Sequence, residues 1–389
     1  MKPRLKVLFL PRWYPSRNDP MTGLFIQRQA EALTKHCDVA VIYIQAENDC
    51  PNKFEVDFAV ENEVRVLRVY YREPDRGLCY LRYLQKYYRY FRATFRALKS
   101  IRQFNPDILH AHILTRMGMV AFKLSRSWKK PFLISEHWSR YFPEQNTYKG
   151  IIRKWMTRFV VGKADAIVAV SEVLKKSMIN RKLYNPRYYI IPNVVDTGIF
   201  IPSPGKEKKS RKRIIHVSCF EDKSKNLTGF LRAVKSLSSR RNDFECLVVG
   251  DGPDYDEIVQ YSKSLGIQDS LLVFAGMKTD GDLVEAYQSS DFLVLSSNYE
   301  TFGTVLIEGL SCGLPVVATR VGIVPEIITA ENGLIVPPGD EDAMEDAINQ
   351  MIDRIDCYDL QKIRSTVIDR FSKETVADAL YNLYREIVL

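Results

Sequence analysis

The 389-residue chain is 46% hydrophobic and 26% charged, which is typical of a folded globular protein and excludes a disordered one. The chain is too long for one ordinary hydrophobic core, so we expect two domains. Its formal net charge of +9 is compatible with an anionic partner. No nucleic-acid-binding motif accompanies this charge, so we expect no nucleic-acid partner.

The sequence contains no signal for the membrane or for an oxidising compartment. No apolar run is long enough to span a bilayer, and the apolar stretch near the N-terminus is short for a signal peptide. The seven cysteines are scattered and form no Cys-x-x-Cys pair. We therefore expect a cytoplasmic protein with reduced thiols, no disulfide framework and no zinc site.

Short apolar runs alternate with helix-length segments along the whole chain. In the first half, strands are predicted at 5–10, 38–44, 64–71, 107–112, 131–137, 165–170 and 188–192. In the second half, they are predicted at 213–218, 244–250, 270–276, 291–296 and 315–319. Nearly continuous apolar strands separated by helices predict an α/β fold with parallel sheets covered on both faces.

A basic amphipathic helix is predicted between the third and fourth of these strands. The stretch 77–103 contains no acidic residue, and its basic residues alternate with apolar residues at helical spacing. The basic residues are Arg82, Lys86, Arg89, Arg92, Arg96, Lys99 and Arg102, and the apolar ones are Leu81, Leu84, Tyr88, Phe91, Phe95 and Leu98. Such a helix either packs on its own domain or docks on an anionic membrane surface, and both alternatives stay open here.

The segment 200–213, FIPSPGKEKKSRKR, is rich in proline, glycine and charge and is predicted to be a linker. We expect an N-terminal domain at 1–195, a linker at 196–213 and a C-terminal domain at 214–371. The last helix, at about 372–389, is expected to pack on the N-terminal domain. The predicted fold is two doubly wound, Rossmann-like domains that face a cleft.

The segment NYETFGTVLIEGLSCGLPVVAT, residues 298–319, combines a helix start with two carboxylates. The helix is predicted to end at Gly313, and its first amides would lie near Gly303, Thr304 and Val305, where they suit a phosphate. Glu300 and Glu308 would lie roughly 12 Å apart along a helix. Two acids flanking a phosphate site can accept hydrogen bonds from sugar hydroxyls on either side, as a nucleotide sugar requires.

The order of motifs resembles glycosyltransferase family 4, the retaining transferases of the GT-B fold, over nearly the whole chain. The matching pieces are GLFIQRQAEAL (23–33), DILHAH (107–112), ISEH (134–137), PNVVD (192–196), HVSCFEDKSKN (216–226), VVGDGP (248–253), FAGM (274–277), the segment 298–319, and ENGLIVPPGD (331–340). Any one of these pieces would be weak by itself, but their combination and spacing are specific.

The resemblance implies roles for residues of the second half. Glu300 would hold hydroxyls of the donor sugar, Glu308 would hold the ribose, and Lys225 would stabilise the leaving diphosphate. Backbone groups near the sugar, phosphate and base would come from Phe302, Gly303, Thr304, Val305, Met277 and Lys278. The usual arginine partner of this lysine is replaced by Cys219, which puts the phosphate clamp in question.

The resemblance also implies roles in the first half. Gly23 would allow close approach of the backbone to the donor, and His137 would lie near the reacting face of the donor sugar. His112 is a candidate for the acceptor side. His110, His36 and His216 are expected to be structural.

The implied function is retaining transfer of a hexose from a UDP- or GDP-sugar to a glycan or lipid-linked glycan, as in polysaccharide biosynthesis. We expect no cofactor and no metal, because the pair Asp254 and Asp256 is better explained as charge at a helix start. One alternative is a nucleotide-sugar-binding or glycan-binding relative without turnover. A second is a dinucleotide-dependent oxidoreductase, since GDGPDY begins like Gly-x-Gly-x-x-Gly, although Tyr255 replaces the third glycine. An epimerase of the same fold is less consistent with the motifs of the second half.

Overall fold

The computed structural model describes residues 4–73, 79–205 and 210–389, except for the side chains of residues 79–84, 86, 87, 102, 115 and 280. The chain forms two compact units. The first comprises Met1–Val194 and Lys373–Leu389, and the second comprises Val195–Ser372. The start of the predicted basic helix at 77–78, its side chains at 79–84, 86, 87 and 102, and the predicted linker residues 206–209 lie outside what the structure describes.

The first unit is built on a sheet with the strand order β3-β4-β2-β1-β5-β6-β7-β8. The strands are β1 (Leu5–Pro11), β2 (Cys37–Glu47), β3 (Phe54–Glu61), β4 (Val64–Arg72), β5 (Ile108–His112), β6 (Phe132–Glu136), β7 (Ala166–Ala169) and β8 (Tyr188–Ile190). All neighbouring pairs are parallel except β3 and β4, which are antiparallel. The sequence analysis missed β3, an edge strand whose apolar side chains alternate with polar ones and are partly exposed.

Helices cover both faces of this sheet, as predicted for a doubly wound fold. They are α1 (Leu24–Leu33), α2 (Cys79–Ser100), α3 (Leu114–Trp128), α4 (Ile151–Lys163), α5 (Glu172–Asn180) and the last helix of the chain, α14 (Lys373–Val388). Helices α1 and α14 pack together against one face. On the other face, α3 packs between the sheet and α4, where the Phe122 ring lies 5.2 Å from that of Phe159.

The second unit has a fully parallel sheet with the order β11-β10-β9-β12-β13-β14. Its strands are β9 (Lys212–Val217), β10 (Phe244–Val249), β11 (Leu272–Phe274), β12 (Phe292–Leu295), β13 (Val316–Thr319) and β14 (Gly333–Val336). Its helices are α6 (Asp222–Lys225), α7 (Leu227–Ser238), α8 (Tyr255–Ser264), α9 (Asp280–Gln288), α10 (Thr304–Ser311), α11 (Val324–Ile327), α12 (Glu341–Arg354) and α13 (Leu360–Phe371). The short strand β14 was not predicted.

The stretch predicted to be a linker begins as a packed part of the second unit. Phe200 is buried, and its ring lies edge-on to that of Tyr287 at 5.8 Å. Arg364 on α13 donates hydrogen bonds to the backbone carbonyls of Phe200, at 2.6 Å, and of Thr197, at 2.5 Å. These contacts hold the residues that follow Val195 against the second unit, so they do not form a free connector.

Candidate functional site

Lys225 and Glu300 form an ion pair at the carboxyl ends of two neighbouring strands of the second unit. Lys225 ends α6, which follows β9, and Glu300 lies in the loop that leaves β12. The Nζ atom of Lys225 donates to Oε1 of Glu300, and the two side chains are only 16% and 10% exposed. Burial is the largest single effect and lowers the pKa of Lys225, but the charge and hydrogen bond of Glu300, together with the neighbouring Cys219 and Glu221, raise that pKa overall.

One oxygen of Glu300 remains available for another donor. Ser297 Oγ donates to Oε1 of Glu300 at 3.2 Å, the same oxygen that accepts from Lys225. Within the described residues, Oε2 of Glu300 accepts no hydrogen bond. This oxygen can therefore accept a hydrogen bond from water or from a ligand. A sugar hydroxyl is a group of that kind.

The two loops that carry this ion pair are fastened to each other. Ser296 Oγ donates to the carbonyl of Lys225 at 2.7 Å, and the amide of Asn298 donates to the carbonyl of Ser224 at 2.8 Å. Behind Glu300 lies Gly322, whose φ of +53° is left-handed. A Cβ atom added there would lie 2.5 Å from the carbonyl oxygen of Glu300. These contacts fix the position of Glu300, and sequence reasoning did not identify the residues that make them.

Helix α10 begins four residues after Glu300, at the position predicted. Gly303 precedes it with a φ of +74°, and a Cβ there would meet only Leu306 Cβ, at 3.9 Å. The first amides of the helix, including those of Thr304 and Val305, have no intrahelical acceptor. These amides and the helix dipole suit an anion. The side chain of Phe302 is buried against Phe371, so only its backbone can face a ligand.

Glu308 lies one turn inside α10 and is buried, as the sequence predicts. Its Oε2 accepts a hydrogen bond of 3.2 Å from the hydroxyl of Tyr287. The predicted base-contacting residues Met277 and Lys278 lie beyond β11, where Met277 is exposed. All of the residues predicted for the donor in this unit therefore lie in loops or at helix starts after the sheet's parallel strands.

Cys219 occupies the loop after β9 and does not replace the missing cation. Although the residue is exposed, the atoms packed around its thiol exclude water and raise the thiol pKa. The thiol is therefore neutral at physiological pH. Lys225 and the amides of α10 are buried or partly buried positive groups that the structure places after β9 and β12.

The glycines of GDGPDY serve a packing role. Gly250 has a φ of +136°, and a Cβ there would lie 1.8 Å from the carbonyl oxygen of Ser218. A Cβ at Gly252 would lie 2.6 Å from the amide nitrogen of Phe220. Close contact with the neighbouring 218–220 loop thus explains both glycines without a dinucleotide. Asp254 directly precedes α8 and accepts a hydrogen bond of 2.8 Å from the amide of Asp222.

In the first unit, a chain of hydrogen bonds links two predicted histidines. His112 ends β5 and His137 follows β6. Nδ1 of His112 lies 3.3 Å from Nε2 of His137, and Nδ1 of His137 lies 3.0 Å from Oδ1 of Asn193. Burial lowers the pKa of His137 to about 3 and lowers that of His112, so both rings are neutral at physiological pH.

Whereas Nε2 of His112 has no partner among the described residues, both ring nitrogens of His110 have one. Nδ1 lies 2.7 Å from the hydroxyl of Tyr384 on α14, and Nε2 lies 2.7 Å from Oγ of Ser135. The ring therefore fastens the last helix to the sheet.

Gly23, before α1, has a φ of +82°, and a Cβ there would lie 2.4 Å from the carbonyl carbon of Trp13.

Glu136 is a buried residue that sequence reasoning missed. Its carboxylate accepts hydrogen bonds from the amides of Leu114, His137 and Trp138 and from the hydroxyl of Tyr141, at 2.9 to 3.0 Å. Burial nevertheless raises its pKa. Glu136 thus orders the loop that carries His137. The motif ISEH contained the signal, since an acid at the end of a buried strand needs partners.

Two helices of the first unit expose apolar and basic side chains together. On α4, Ile151, Ile152 and Trp155 are 87%, 75% and 65% exposed. On α2, Tyr88 and Phe95 are also exposed. Both helices are rich in Lys and Arg and lack acids. Among the described residues, no helix combines the length and apolar content needed to cross a membrane.

Within the described part of the chain, no group of three or more His, Cys, Asp or Glu side chains is arranged to hold a metal ion.

Comparison with known families matches both halves of the chain. Residues 23–198 match the family described as "Glycosyltransferase Family 4", and residues 199–361 match "Glycosyl transferases group 1". Among curated proteins, the "Putative teichuronic acid biosynthesis glycosyltransferase TuaC" of Bacillus subtilis is 24% identical over 98% of this chain and 99% of its own length. The N-acetyl-alpha-D-glucosaminyl L-malate synthase of Bacillus anthracis is 28% identical, over 60% of this chain and 62% of its own length.

Solved structures share the fold at low identity. Sucrose-phosphate synthase of Thermosynechococcus elongatus has a TM-score of 0.76 at 20% identity, with 99% of each chain covered. Anabaena HepE, solved in complex with UDP and glucose, has a TM-score of 0.74 at 17% identity, with 98% of this chain and 100% of that chain covered. The architecture is therefore the GT-B fold.

Proposed function

We propose that this chain, which belongs to glycosyltransferase family 4, transfers a hexose from a UDP- or GDP-sugar to a hydroxyl of a glycan or lipid-linked glycan, with retention of anomeric configuration. The observation that carries the proposal is the buried Lys225–Glu300 pair beside the N-terminus of α10. The pair supplies a cation for a diphosphate and a carboxylate oxygen for a sugar. The start of α10 supplies free amides for the same diphosphate.

The groups of the second unit suit the successive parts of such a donor. The amides of Thr304 and Val305 and the ammonium of Lys225 would bind the diphosphate and stabilise the negative charge that develops on it as the glycosidic bond breaks. Glu300 would accept a hydrogen bond from a sugar hydroxyl through Oε2. Glu308, whose Oε2 accepts from Tyr287, would also accept a hydrogen bond from the ribose.

His137 would contribute as a neutral hydrogen-bonding group. Its pKa of about 3 means that the ring is uncharged throughout the physiological range, so it would not act as a general acid there. In one tautomer of His137, Nδ1–H donates to Oδ1 of Asn193, and Nε2 of the same ring faces Nδ1 of His112. We propose that attack occurs from the face of the leaving group and that a phosphate oxygen takes the proton of the acceptor hydroxyl.

We propose that the reaction requires neither a cofactor nor a metal. The positive charge of Lys225 and the dipole of α10 would perform the role that a divalent cation performs in other phosphate sites. The paired acids Asp254 and Asp256 are accounted for by the start of α8, where the amide of Asp222 already bonds to Asp254.

Relatives support the class of donor and the type of pathway. HepE was solved with UDP and with UDP-glucose, and TuaC is named for teichuronic acid biosynthesis. We extend this to a nucleotide-sugar donor and a polysaccharide precursor for the present chain. The choice between uridine and guanosine rests on experiment.

We also propose that the first unit docks on an anionic membrane surface, which would keep the protein at the inner face of the plasma membrane. The exposed apolar residues of α4, together with the basic face of α2, support this proposal. Exposed isoleucine and tryptophan enter the headgroup region, and each nearby Lys or Arg adds about 1 kcal/mol on an anionic surface.

A donor screen tests the proposed function. The full-length protein is incubated with a panel of UDP- and GDP-sugars, with and without EDTA, and the release of nucleotide is measured. We expect release from a small subset of donors, unchanged by EDTA. Thermal melting with UDP, GDP and NAD provides the binding control, and only a uridine or guanosine nucleotide should raise the melting temperature. Stabilisation by NAD alone would support the oxidoreductase alternative.

The same screen separates an enzyme from a binding protein. Nucleotide-dependent stabilisation without release from any donor, with or without a glycan extract as acceptor, would favour the relative without turnover. Such a result would give the substitution at Cys219 a functional meaning, since one positive charge of the phosphate clamp is missing there.

A further inference from the structure

Two arginine side chains of the first unit lie beside one tryptophan ring. Arg12 follows β1, and Trp138 and Arg140 follow β6, with β5 between these strands. The guanidinium carbon of Arg140 lies 3.5 Å from the centre of the Trp138 ring, and that of Arg12 lies 5.5 Å from it. The three side chains therefore meet at the carboxyl ends of neighbouring parallel strands, where α/β sheets bind ligands.

Neither guanidinium has an acceptor in the described part of the chain. Arg140 is 7% exposed, and its Nε is buried without a hydrogen bond. The Nε of Arg12 is also buried without one, and neither side chain forms an ion pair with a described residue. A buried cation without an anion is strongly unfavourable. Burial accordingly lowers the pKa of both arginines.

The nearby carboxylate cannot neutralise this pair of charges by direct contact. Glu136 attracts both arginines electrostatically, but its oxygens already accept hydrogen bonds from three amides and from Tyr141. Arg116 adds a further positive charge near Arg12. This corner of the unit therefore has an excess of positive charge and guanidinium donors that still need acceptors.

We propose that Arg12 and Arg140 form an anion-binding site that takes a phosphate group, and, resting on the proposed function, that this phosphate belongs to the sugar acceptor. Two guanidinium groups match the charge and the oxygen geometry of a phosphate ester. The Trp138 ring, in contact with Trp13 at 5.0 Å, offers an apolar surface to the carbon skeleton beside the phosphate. His137 directly precedes Trp138, so the site shares a loop with a predicted catalytic residue.

Tryptophan fluorescence of the full-length protein tests this site. The protein is first saturated with UDP to fill the donor site, and inorganic phosphate is then added at constant ionic strength. A second series uses farnesyl diphosphate in detergent micelles, and empty micelles serve as its blank. We expect saturable changes, with the dissociation constant raised about tenfold or more in Arg140→Met and in Arg12→Met. Arg187→Met is the matched control, because Arg187 is an exposed arginine paired with Glu386, and it should bind as the wild type does.

Saturable binding of phosphate that both variants weaken supports the site. Tighter binding of farnesyl diphosphate than of phosphate would assign it to a lipid-linked acceptor, and equal binding to a soluble phosphorylated one. The proposal would be overturned by the absence of a saturable signal, or by equal affinity in the wild type and both arginine variants. Binding of UDP in the same experiment would leave the proposed function intact. Should Arg140→Met fail to fold, Arg12→Met and Arg140→Gln give the same comparison. Failure of UDP and GDP to bind at all would instead count against the proposed function.

Discussion

Lys225 and Glu300 illustrate how a single buried pair can prepare a site for a ligand of mixed charge. The desolvation of two ions is costly, and their mutual attraction offsets much of that cost. In the proposed reaction, a diphosphate would give Lys225 a second anion, and Glu300 would retain Ser297 and gain sugar hydroxyls. The ion pair holds both side chains in place, and the donor would complete their hydrogen bonding.

Substitution of the two glutamates should separate catalysis from nucleotide binding. We expect Glu300→Gln to lower the transfer rate on the order of 10²-fold, because a charge near the reacting sugar is lost, with little change in UDP or GDP affinity. We expect Glu308→Gln to weaken nucleotide binding about tenfold or more, because a charged acceptor for the ribose is lost. Steady-state kinetics and calorimetric titration measure the two effects.

Glu285→Gln on α9 is the control for these variants, because it changes the same charge on an exposed residue. Equal losses of nucleotide affinity in Glu300→Gln and Glu308→Gln would contradict the division of roles.

Buried neutral histidines should make the protein sensitive to acid. Burial lowers the pKa of both His137 and His216 to about 3, whereas an unfolded histidine has a pKa of about 6.5. The unfolded chain therefore binds protons first, so stability that is complete above pH 6.5 is lost as the pH falls toward 3. At pH 5, each such histidine would cost about 2 kcal/mol, or about 4–8 °C in melting temperature.

The variant His216→Gln isolates one of these contributions, because His216 lies outside the proposed reaction and bonds only to Ser296 among the described residues. Its melting temperature should fall by about 4–8 °C less than that of the wild type between pH 7 and pH 5. An equal fall in melting temperature for His216→Gln and the wild type would show that His216 does not contribute to the acid sensitivity.

The residues of the candidate site were predictable to different degrees. Glu300, Glu308 and Lys225 lie in motifs whose spacing persists along the chain, so the resemblance identified them. Ser296 and Gly322 act through contacts with residues distant in the sequence, and no local pattern marks them. The pairing of Arg12 with Arg140 is likewise visible only once β1 and β6 are placed in one sheet.

At the level of elements, the candidate donor site consists of loop–helix connections at the ends of parallel strands. The loop after β12 and the start of α10 are held from behind by the turn after β13, where Gly322 contacts the backbone of Glu300. A glycine with a left-handed φ at this turn allows two backbones to approach closely. The geometry of the site therefore depends on a residue with no side chain.

Substitution of this glycine should disturb the site through the backbone. In Gly322→Ala, the new Cβ would lie 2.5 Å from the carbonyl oxygen of Glu300, so the loop must shift and activity should fall on the order of 10²-fold. Gly339→Ala is the matched control, because its φ of +76° imposes a similar strain, of roughly 1–2 kcal/mol, with no atom within 4 Å of the new Cβ. Nucleotide release and melting temperature are measured for both.

We expect Gly339→Ala to lose stability and keep its turnover, and Gly322→Ala to lose both. Unchanged turnover in Gly322→Ala would mean that the position of Glu300 is not what limits the reaction.

The predicted elements were accurate where the pattern was continuous and failed where it was not. The strands that are buried on both faces were found because their apolar runs are unbroken. Strand β3 was missed because it lies at an edge, where alternate side chains face solvent, and β14 because it is only four residues long. The predicted end of α10 was correct, since Gly313 follows it with a φ of +77°.

The exposed residues of α4 should determine membrane binding. We expect the wild type to sediment with vesicles containing anionic lipid, and more weakly at high salt, because both apolar insertion and basic residues contribute. Trp155→Glu combined with Ile151→Glu should abolish sedimentation, since it places two charges in the apolar part of this surface. Tyr184→Glu, an exposed aromatic residue of the same unit outside α2 and α4, is the control.

Sedimentation that does not depend on salt or on the α4 residues would contradict this docking surface. It would leave the proposed reaction unaffected, because the donor residues of the second unit are untouched by the change.

At the scale of the whole molecule, sequence order and spatial order differ in one important respect. The chain enters the second unit at Val195 and returns to the first at Lys373, so that α14 packs against α1 and bonds to His110 through Tyr384. Two doubly wound sheets were predictable from the alternation of strands and helices. The packing of residues 196–205 on the second unit could not be predicted, because proline, glycine and charge are also typical of ordinary surface loops.

The central claim is that Lys225, Glu300, Glu308 and the start of α10 form the donor site. The most direct test is a crystal structure with an intact nucleotide sugar from the donor screen. We predict a diphosphate on Lys225 Nζ and the amides of Thr304 and Val305, a sugar hydroxyl on Glu300 Oε2 and the ribose on Glu308. A nucleotide sugar bound elsewhere, or one whose diphosphate contacts neither Lys225 nor these amides, would contradict the account.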